Sequence, residues 1–309
     1  MLTAITGCIG NERDIRNLAE QGYAWAQNEL GSMYLEGSDV TQDYEQAEYW
    51  LRLAIAQENI AAKSSLGFMY LNGLGVPQDY EQAAYLFRLA AEQGHAWSQN
   101  KLGYMYLEGQ GVPQDYTQAE YWYRLAVIQD DACAQNGLGF MHHHGLGFPR
   151  DYEQALYWYR LSAAQENPVA QANLGYMYLN GLGVPQDYEQ AAYWTRLAAE
   201  QGHAIAQNEL GFMYSNGEGV PVDPIQAVYW FRLSAEQGLA MAQYNLGDMY
   251  FFGDGVSQDY EQSAYWTRLA AEQGLTIAQA DLGSMYERGL GVPQDYEQAI
   301  FWYNLSEER

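Results

Sequence analysis

The amino-acid sequence predicts an all-α protein: a right-handed α-solenoid, or superhelix, of eight 36-residue helix-turn-helix repeats. Three observations carry that expectation. The dipeptide Leu-Gly recurs at Leu30, Leu66, Leu102, Leu138, Leu174, Leu210, Leu246 and Leu282, each 36 residues after the last. Within every repeat the apolar residues follow the helical period twice. An aspartate stands at the same place in all eight repeats, where the second helix begins.

His95 to Asp130 serves as the type repeat. Ala96, Leu102, Gly103, Met105 and Tyr106 fall on one side of a first helix, which Gly109 and Gly111 end. The second helix opens at Val112-Pro113-Gln114-Asp115, with Asp115 as N-cap and Gln118 at the third helical position, a variant of the capping box. Ala119, Trp122, Leu125 and Ala126 form its apolar stripe. The capping series Asp43, Asp79, Asp115, Asp151, Asp187, Asp223, Asp259 and Asp295 is architectural, each cap stabilising its helix by about 1 kcal/mol. A mid-helix glycine costs roughly 1 kcal/mol against alanine, so Gly31, Gly67, Gly103 and their successors mark a close approach. The column Trp50, Trp122, Trp158, Trp194, Trp230, Trp266 and Trp302 is the expected neighbour of those glycines.

Arg16 falls in register with Arg52, Arg88, Arg124, Arg160, Arg196, Arg232 and Arg268, so the segment from Asp14 to Gly22 reads as the end of a second helix. Residues 1–22 are therefore expected to form an N-terminal capping half-repeat, and residues 23–309 eight tandem repeats in one continuous solenoid domain.

Composition narrows the partners. Aromatic residues at 15%, among them 28 Tyr and 9 Trp, are too many for a disordered acidic chain. The formal charge of −25 comes from 39 acidic against 14 basic side chains, the lysines being Lys63 and Lys101 alone. Such a field repels phosphate backbones and anionic lipid, so neither nucleic acid nor a membrane is expected as partner, and a basic protein surface is. No apolar run approaches the roughly 18 residues that span a bilayer. Cys8 and Cys133 do not recur with the repeat and make no disulfide framework, which favours the cytoplasm. Ile5-Thr6-Gly7-Cys8 has the look of a lipoprotein cleavage box but lacks a basic start and an adequate apolar stretch; a start upstream of it would make the protein lipid-anchored or periplasmic instead.

The pattern Ala-x-x-x-Leu-Gly-x-Met-Tyr-x-x-Gly-x-Gly-Val-Pro-x-Asp-Tyr-x-x-Ala-x-Tyr-Trp, as it stands from Ala170 to Trp194, resembles the Sel1-like repeats, relatives of the tetratricopeptide repeats. The resemblance runs from about Asp14 to Ser306 and implies adaptors and scaffolds, in bacteria often for host interaction, secretion or toxin immunity. Two departures stand out: the cysteine pair that some secreted members carry in each repeat is missing, and glutamine (Gln46, Gln82, Gln118 and successors) stands where the family often has lysine.

The resemblance also implies that first helices line the concave side. In the type repeat that face carries Trp97, Asn100, Tyr104, Leu107 and Glu108, which share one side at about 100° per residue. Along the repeats it forms a ring ladder (Phe68, Tyr104, Phe140, Tyr176, Phe212) beside an amide ladder (Asn28, Asn100, Asn136, Asn208), with Asn180 and Asn216 one turn beyond. Rings can take the side chains of an extended peptide and amides its backbone, while Glu36, Glu108, Asp248 and Glu287 add acid for a basic ligand. The opposing reading is that the rings pack on neighbouring first helices.

The fourth repeat replaces Met-Tyr-x-x-Gly with Met141-His142-His143-His144-Gly145. Three successive helical side chains point about 100° apart and cannot converge on one metal, so no metal site is expected. His142 should replace a packing tyrosine, whereas His143 and His144 should face the groove and make binding pH-sensitive. Ser98-Gln99-Asn100-Lys101 matches the Ser-x-x-Lys of penicillin-recognising enzymes, but Ser98 sits in a column of alanines and no Lys-Thr-Gly or Ser-Asp-Asn segment accompanies it. The expected function is thus a non-enzymatic, monomeric, cofactor-free scaffold or adaptor binding a basic protein or peptide, in a sharper form an immunity protein to a cationic toxin. The alternative is an enzyme of the β-lactam-binding or cell-wall class.

Overall fold

The computed structural model describes residues 12–307, so Cys8 and the cleavage-box resemblance lie outside the described residues. The chain divides into two compact units, Met1–Arg150 and Asp151–Arg309. The first holds α1 (Glu12–Glu20), α2 (Ala24–Glu36), α3 (Tyr44–Ile55), α4 (Ile60–Asn72), α5 (Tyr80–Ala91), α6 (Ala96–Glu108), α7 (Tyr116–Val127) and α8 (Ala132–His144). The second holds α9 (Tyr152–Ala164), α10 (Pro168–Asn180), α11 (Tyr188–Glu200), α12 (Ala204–Asn216), α13 (Pro224–Glu236), α14 (Ala240–Phe252), α15 (Tyr260–Glu272), α16 (Thr276–Arg288) and α17 (Tyr296–Glu307). Within each unit consecutive helices pack on one another, the stacking of an α-solenoid. No helix among the described residues is long and apolar enough to cross a membrane.

The helix ends follow from local chemistry. Asp115 sits in extended backbone, and its carboxylate accepts the N–H groups of Thr117 and Gln118 at 2.9 and 3.0 Å. Asp295 does the same for Glu297 and Gln298. Gly109, in left-handed backbone at φ 72°, closes α6 and donates its N–H to Met105. Gln118 does not complete a capping box, because the Asp115 N–H that its side chain would accept from is already donated to Tyr106 O at 3.0 Å. That tie from cap to preceding helix recurs at Asp43–Tyr34, Asp79–Tyr70, Asp187–Tyr178 and Asp223–Tyr214, and fixes the turn between the paired helices.

Gly31, Gly67, Gly103, Gly175, Gly211, Gly247 and Gly283 of the first helices do meet a close neighbour, but not the tryptophan. A Cβ on Gly103 would lie 2.8 Å from Tyr123, and one on Gly67 or Gly211 as close to Phe87 or Phe231. One residue is about 100° of helix, so when Trp122 turns toward Ala83, Ala84 and Ala91 of the preceding repeat, Tyr123 turns toward its own first helix.

Two polar columns knit the repeats. Gln99 is buried; it donates to Ala91 O at 3.0 Å and accepts from Gln129 at 2.9 Å. Gln27, Gln207 and Gln243 make the same two bonds. Lys63 occupies this column in the second repeat, pairs with Glu58, and leaves Gln93 to donate to Leu89 O instead. The arginines that set the register donate to a tyrosine hydroxyl 18 residues on, as Arg88 does to Tyr106 at 2.6 Å and Arg196 to Tyr214 at 2.8 Å. At the tyrosine position of the fourth repeat stands His142, whose ring lies 4.1 Å from that of Phe148, and Arg124 pairs with Glu120. His142 thus takes the packing place foreseen for it.

Candidate functional site: the face of the first helices

In the first unit the first helices α6 and α8 enclose a cavity of about 290 Å³. Its lining includes Trp97, Asn100, Tyr104, Glu108, Asn136 and Phe140, brought together by the single helical face on which α6 and α8 carry them. Tyr123 forms the floor, and burial pushes its hydroxyl well above the usual tyrosine range. Gly137 admits that ring: a Cβ there would lie 2.7 Å from it. Phe68 borders a neighbouring cavity with Trp97, and those two rings stand 6.1 Å apart.

The ring ladder stays largely open to solvent. Tyr104 is 46% exposed, Tyr176 and Phe212 about as much, while Phe68 and Phe140 are half-buried. In the second unit Tyr176 borders a cavity between α10 and α12, and Phe212 lies outside it. The amide ladder differs from expectation. Asn100 and Asn208 are each only 7% exposed; Asn208 already accepts from Asn245 at 2.9 Å, and Asn100 is reached only from the cavity between α6 and α8. Their position faces the adjoining first helix, whose bulk covers it. Asn180 and Asn216 are exposed at the ends of α10 and α12, Asn180 donating to Tyr176 O at 2.9 Å.

His143 and His144 stack at 4.7 Å, and His144 lies 4.2 Å from Phe140, which extends the ring surface by two imidazoles. Burial lowers the affinity of both for a proton, and Arg150 lowers it further. Among the described residues no three His, Cys, Asp or Glu side chains converge as a metal site. Ser98 is wholly buried, its hydroxyl donating to Ser64 at 2.8 Å and lying 2.9 Å from His95 Nδ1. Lys101 stands over the Trp97 ring, 5.1 Å from its centroid, so Ser98 and Lys101 form no exposed nucleophile–base pair.

A second aromatic column went unread in the sequence. Tyr49, Tyr85, Tyr121, Tyr157, Tyr193, Tyr229, Tyr265 and Phe301, the residues before each tryptophan position, are all about half-exposed on the second helices. The signal was the Tyr-Trp dipeptide itself: adjacent helical residues cannot both face the core.

Comparison with known proteins identifies the repeat and the fold. The Sel1 repeat model matches residues 26–59, 60–95, 98–131, 134–167, 168–203, 204–239, 240–275 and 276–309. Among solved structures the chain is similar to a protective antigen present in uropathogenic Escherichia coli strains that displays an SLR fold, at 40% identity and TM-score 0.75, covering 97% of this chain and 64% of that one. The chain therefore spans under two thirds of that antigen's length. It is similar to a Sel1 repeat protein from Oxalobacter formigenes at 35% identity and TM-score 0.65, covering 95% and 85% of the two chains. An immunity protein from Pseudomonas aeruginosa, at 19% identity and TM-score 0.50 over 68% of this chain and 81% of its own, shares the fold alone. Comparison with curated proteins gives no match. Sel1 repeats mediate protein–protein interaction on a fold that is generally a non-enzymatic scaffold, and with eight matched repeats this chain belongs to the Sel1 repeat family.

Proposed function

We propose that the protein holds a basic segment of another protein against the face of its first helices, as a monomeric scaffold. The observation that carries this reading is the cavity between α6 and α8, where aromatic rings and amides meet on a capped pair of helices, with Glu108 in the lining and Lys101 drawn onto the Trp97 ring. The charge of −25 supports a cationic partner, since complementary fields speed encounter and disfavour acidic competitors. Neutralising a cationic toxin is the specific form of this reading that the charge favours.

The test is a pull-down with mass spectrometry, wild type against a variant carrying Tyr104→Ala and Phe140→Ala. Basic proteins should be enriched by wild type in a salt-sensitive way and lost by the variant, whose circular dichroism should be unchanged. Normal capture by the variant would place the binding face elsewhere, the exposed tyrosine column of the second helices being the next surface to alter.

A further inference from the structure

On each second helix, the residue that lies against the glycine of its own first helix is large in most repeats: Leu51, Phe87, Tyr123, Phe231 and Tyr303. Two repeats of the second unit have a threonine there, Thr195 against Gly175 and Thr267 against Gly247. At each threonine a pocket lies where the ring of the other repeats would stand. The pocket over Thr195, between α10 and α12, has a volume of about 350 Å³, with Val169, Leu179, Ile205 and Met213 in its walls and the Glu209 carboxylate among them. The pocket over Thr267, between α14 and α16, has about 140 Å³ and contains Asp248, Asp281 and Phe251, with Arg288 on its rim.

The first pocket holds Glu209 with no lysine or arginine in its lining, and the second holds two carboxylates against the single Arg288. Among the described residues no ion pair involves Glu209, Asp248 or Asp281; Asp281 accepts the Tyr244 hydroxyl at 2.9 Å. Burial pushes Glu209 and Asp248 above the usual carboxylate range, helped by Glu218 and Asp281 respectively. The pockets are also lined by hydroxyls that are almost fully buried: Thr195 at 5%, Ser263 at 1% and Thr267 at 3% exposure. None of these hydroxyls has a hydrogen-bond partner among the described residues, and their oxygens are not sealed off from solvent, so each can bond an incoming donor from the pocket.

We propose that these two pockets each take a lysine or arginine side chain from one extended segment of a basic partner, a reading that rests on the protein-binding role of the first-helix face. A long basic side chain has the matching chemistry: an apolar stem for the walls of the first pocket, and a cationic head for carboxylate, hydroxyl and the face of Phe251. Two carboxylates outweigh Arg288 in the second pocket. Packed helices lie about 10 Å apart, which sets the pockets about 20 Å apart, the reach of about six extended residues.

The probe is a fluorescein-labelled heptapeptide, Arg-Ser-Gly-Ser-Gly-Ser-Arg, titrated by anisotropy at physiological salt. Thr195→Phe and Thr267→Phe restore the ring that Phe231 supplies against Gly211 and leave the net charge of the protein unchanged. Each should weaken binding at least about fivefold, and the pair should abolish it. Equal binding by wild type and the pair would mean general attraction to an acidic surface, and would overturn the proposal, as would failure of wild type to bind below millimolar peptide. Should a ring disturb folding, Glu209→Gln and Asp248→Asn carry the same expectation. If neither set changes affinity while Tyr104→Ala with Phe140→Ala still loses its captured partners, the scaffold reading stands and this inference falls.

Discussion

Lys63→Gln should stabilise the protein. Lys63 is 4% exposed and sits in the column where Gln27, Gln99, Gln207 and Gln243 each make two amide hydrogen bonds. A glutamine there would donate to Ile55 O, eight residues back, and accept from Gln93, which now turns to Leu89 O. Two neutral hydrogen bonds contribute about 2 kcal/mol, and the ion pair lost costs about 0–1 kcal/mol, because Glu58 is 81% exposed. The net gain is about 1–2 kcal/mol, near 1.5–3 °C in thermal midpoint for a 309-residue chain. Glu58 itself stands at φ 62°, where the third repeat has Gly94; once Lys63→Gln has removed its ion-pair partner, Glu58→Gly should add up to about 1 kcal/mol by relieving left-handed strain. Urea unfolding followed by circular dichroism would measure both. The decisive comparison is Lys63→Gln with and without Gln93→Ala: a coupling near 1 kcal/mol is expected, and zero coupling, or a Lys63→Gln variant less stable than wild type, refutes the ladder as a source of stability.

Gly103→Ala should destabilise by about 1–3 kcal/mol, since the new methyl would lie 2.8 Å from the buried Tyr123 ring; an unchanged urea midpoint would contradict the close approach. Tyr106→Phe should cost about 1–2 kcal/mol, because Arg88 loses its 2.6 Å acceptor, while Tyr104→Phe, on the exposed face, should leave the same midpoint unmoved. Asp248 gives a signed pH dependence. Burial, with Asp281 adding, holds its folded pKa above the unfolded value near 3.9, so the stability it contributes is full below that value and is lost as pH rises through the folded pKa. Asp248→Asn should therefore gain on wild type between pH 4 and pH 7, and a difference that does not vary with pH in urea midpoints across that range would rule the burial effect out.

The repeat architecture was legible because it is written in local chemistry. A cap aspartate, a closing glycine and a 3.6-residue apolar period act within one helix or one turn, and α6 and α7 begin and end where Asp115 and Gly109 put them. Trp97, Tyr104 and Phe140 were placed on one face by the resemblance to a known repeat, with which the helical period agrees, and they do border one cavity. What failed was the choice of the residue that meets each glycine and the exposure expected of the amides. Trp122 and Tyr123 are neighbours in sequence, and only packing decided that the tyrosine meets Gly103. Asn100 and Asn208 lie on the right face, yet the adjoining helix buries them.

By itself, then, the sequence determined the number, period and polarity of the helices and the acidic character of the surface, since these depend on residue type and spacing along one chain. The tertiary structure decided the buried glutamine ladder, the arginine–tyrosine ties 18 residues apart and the pockets over Thr195 and Thr267. Each depends on distances between residues of different helices, and a substitution such as threonine for a ring becomes a cavity only when the walls around it are rigid enough not to collapse.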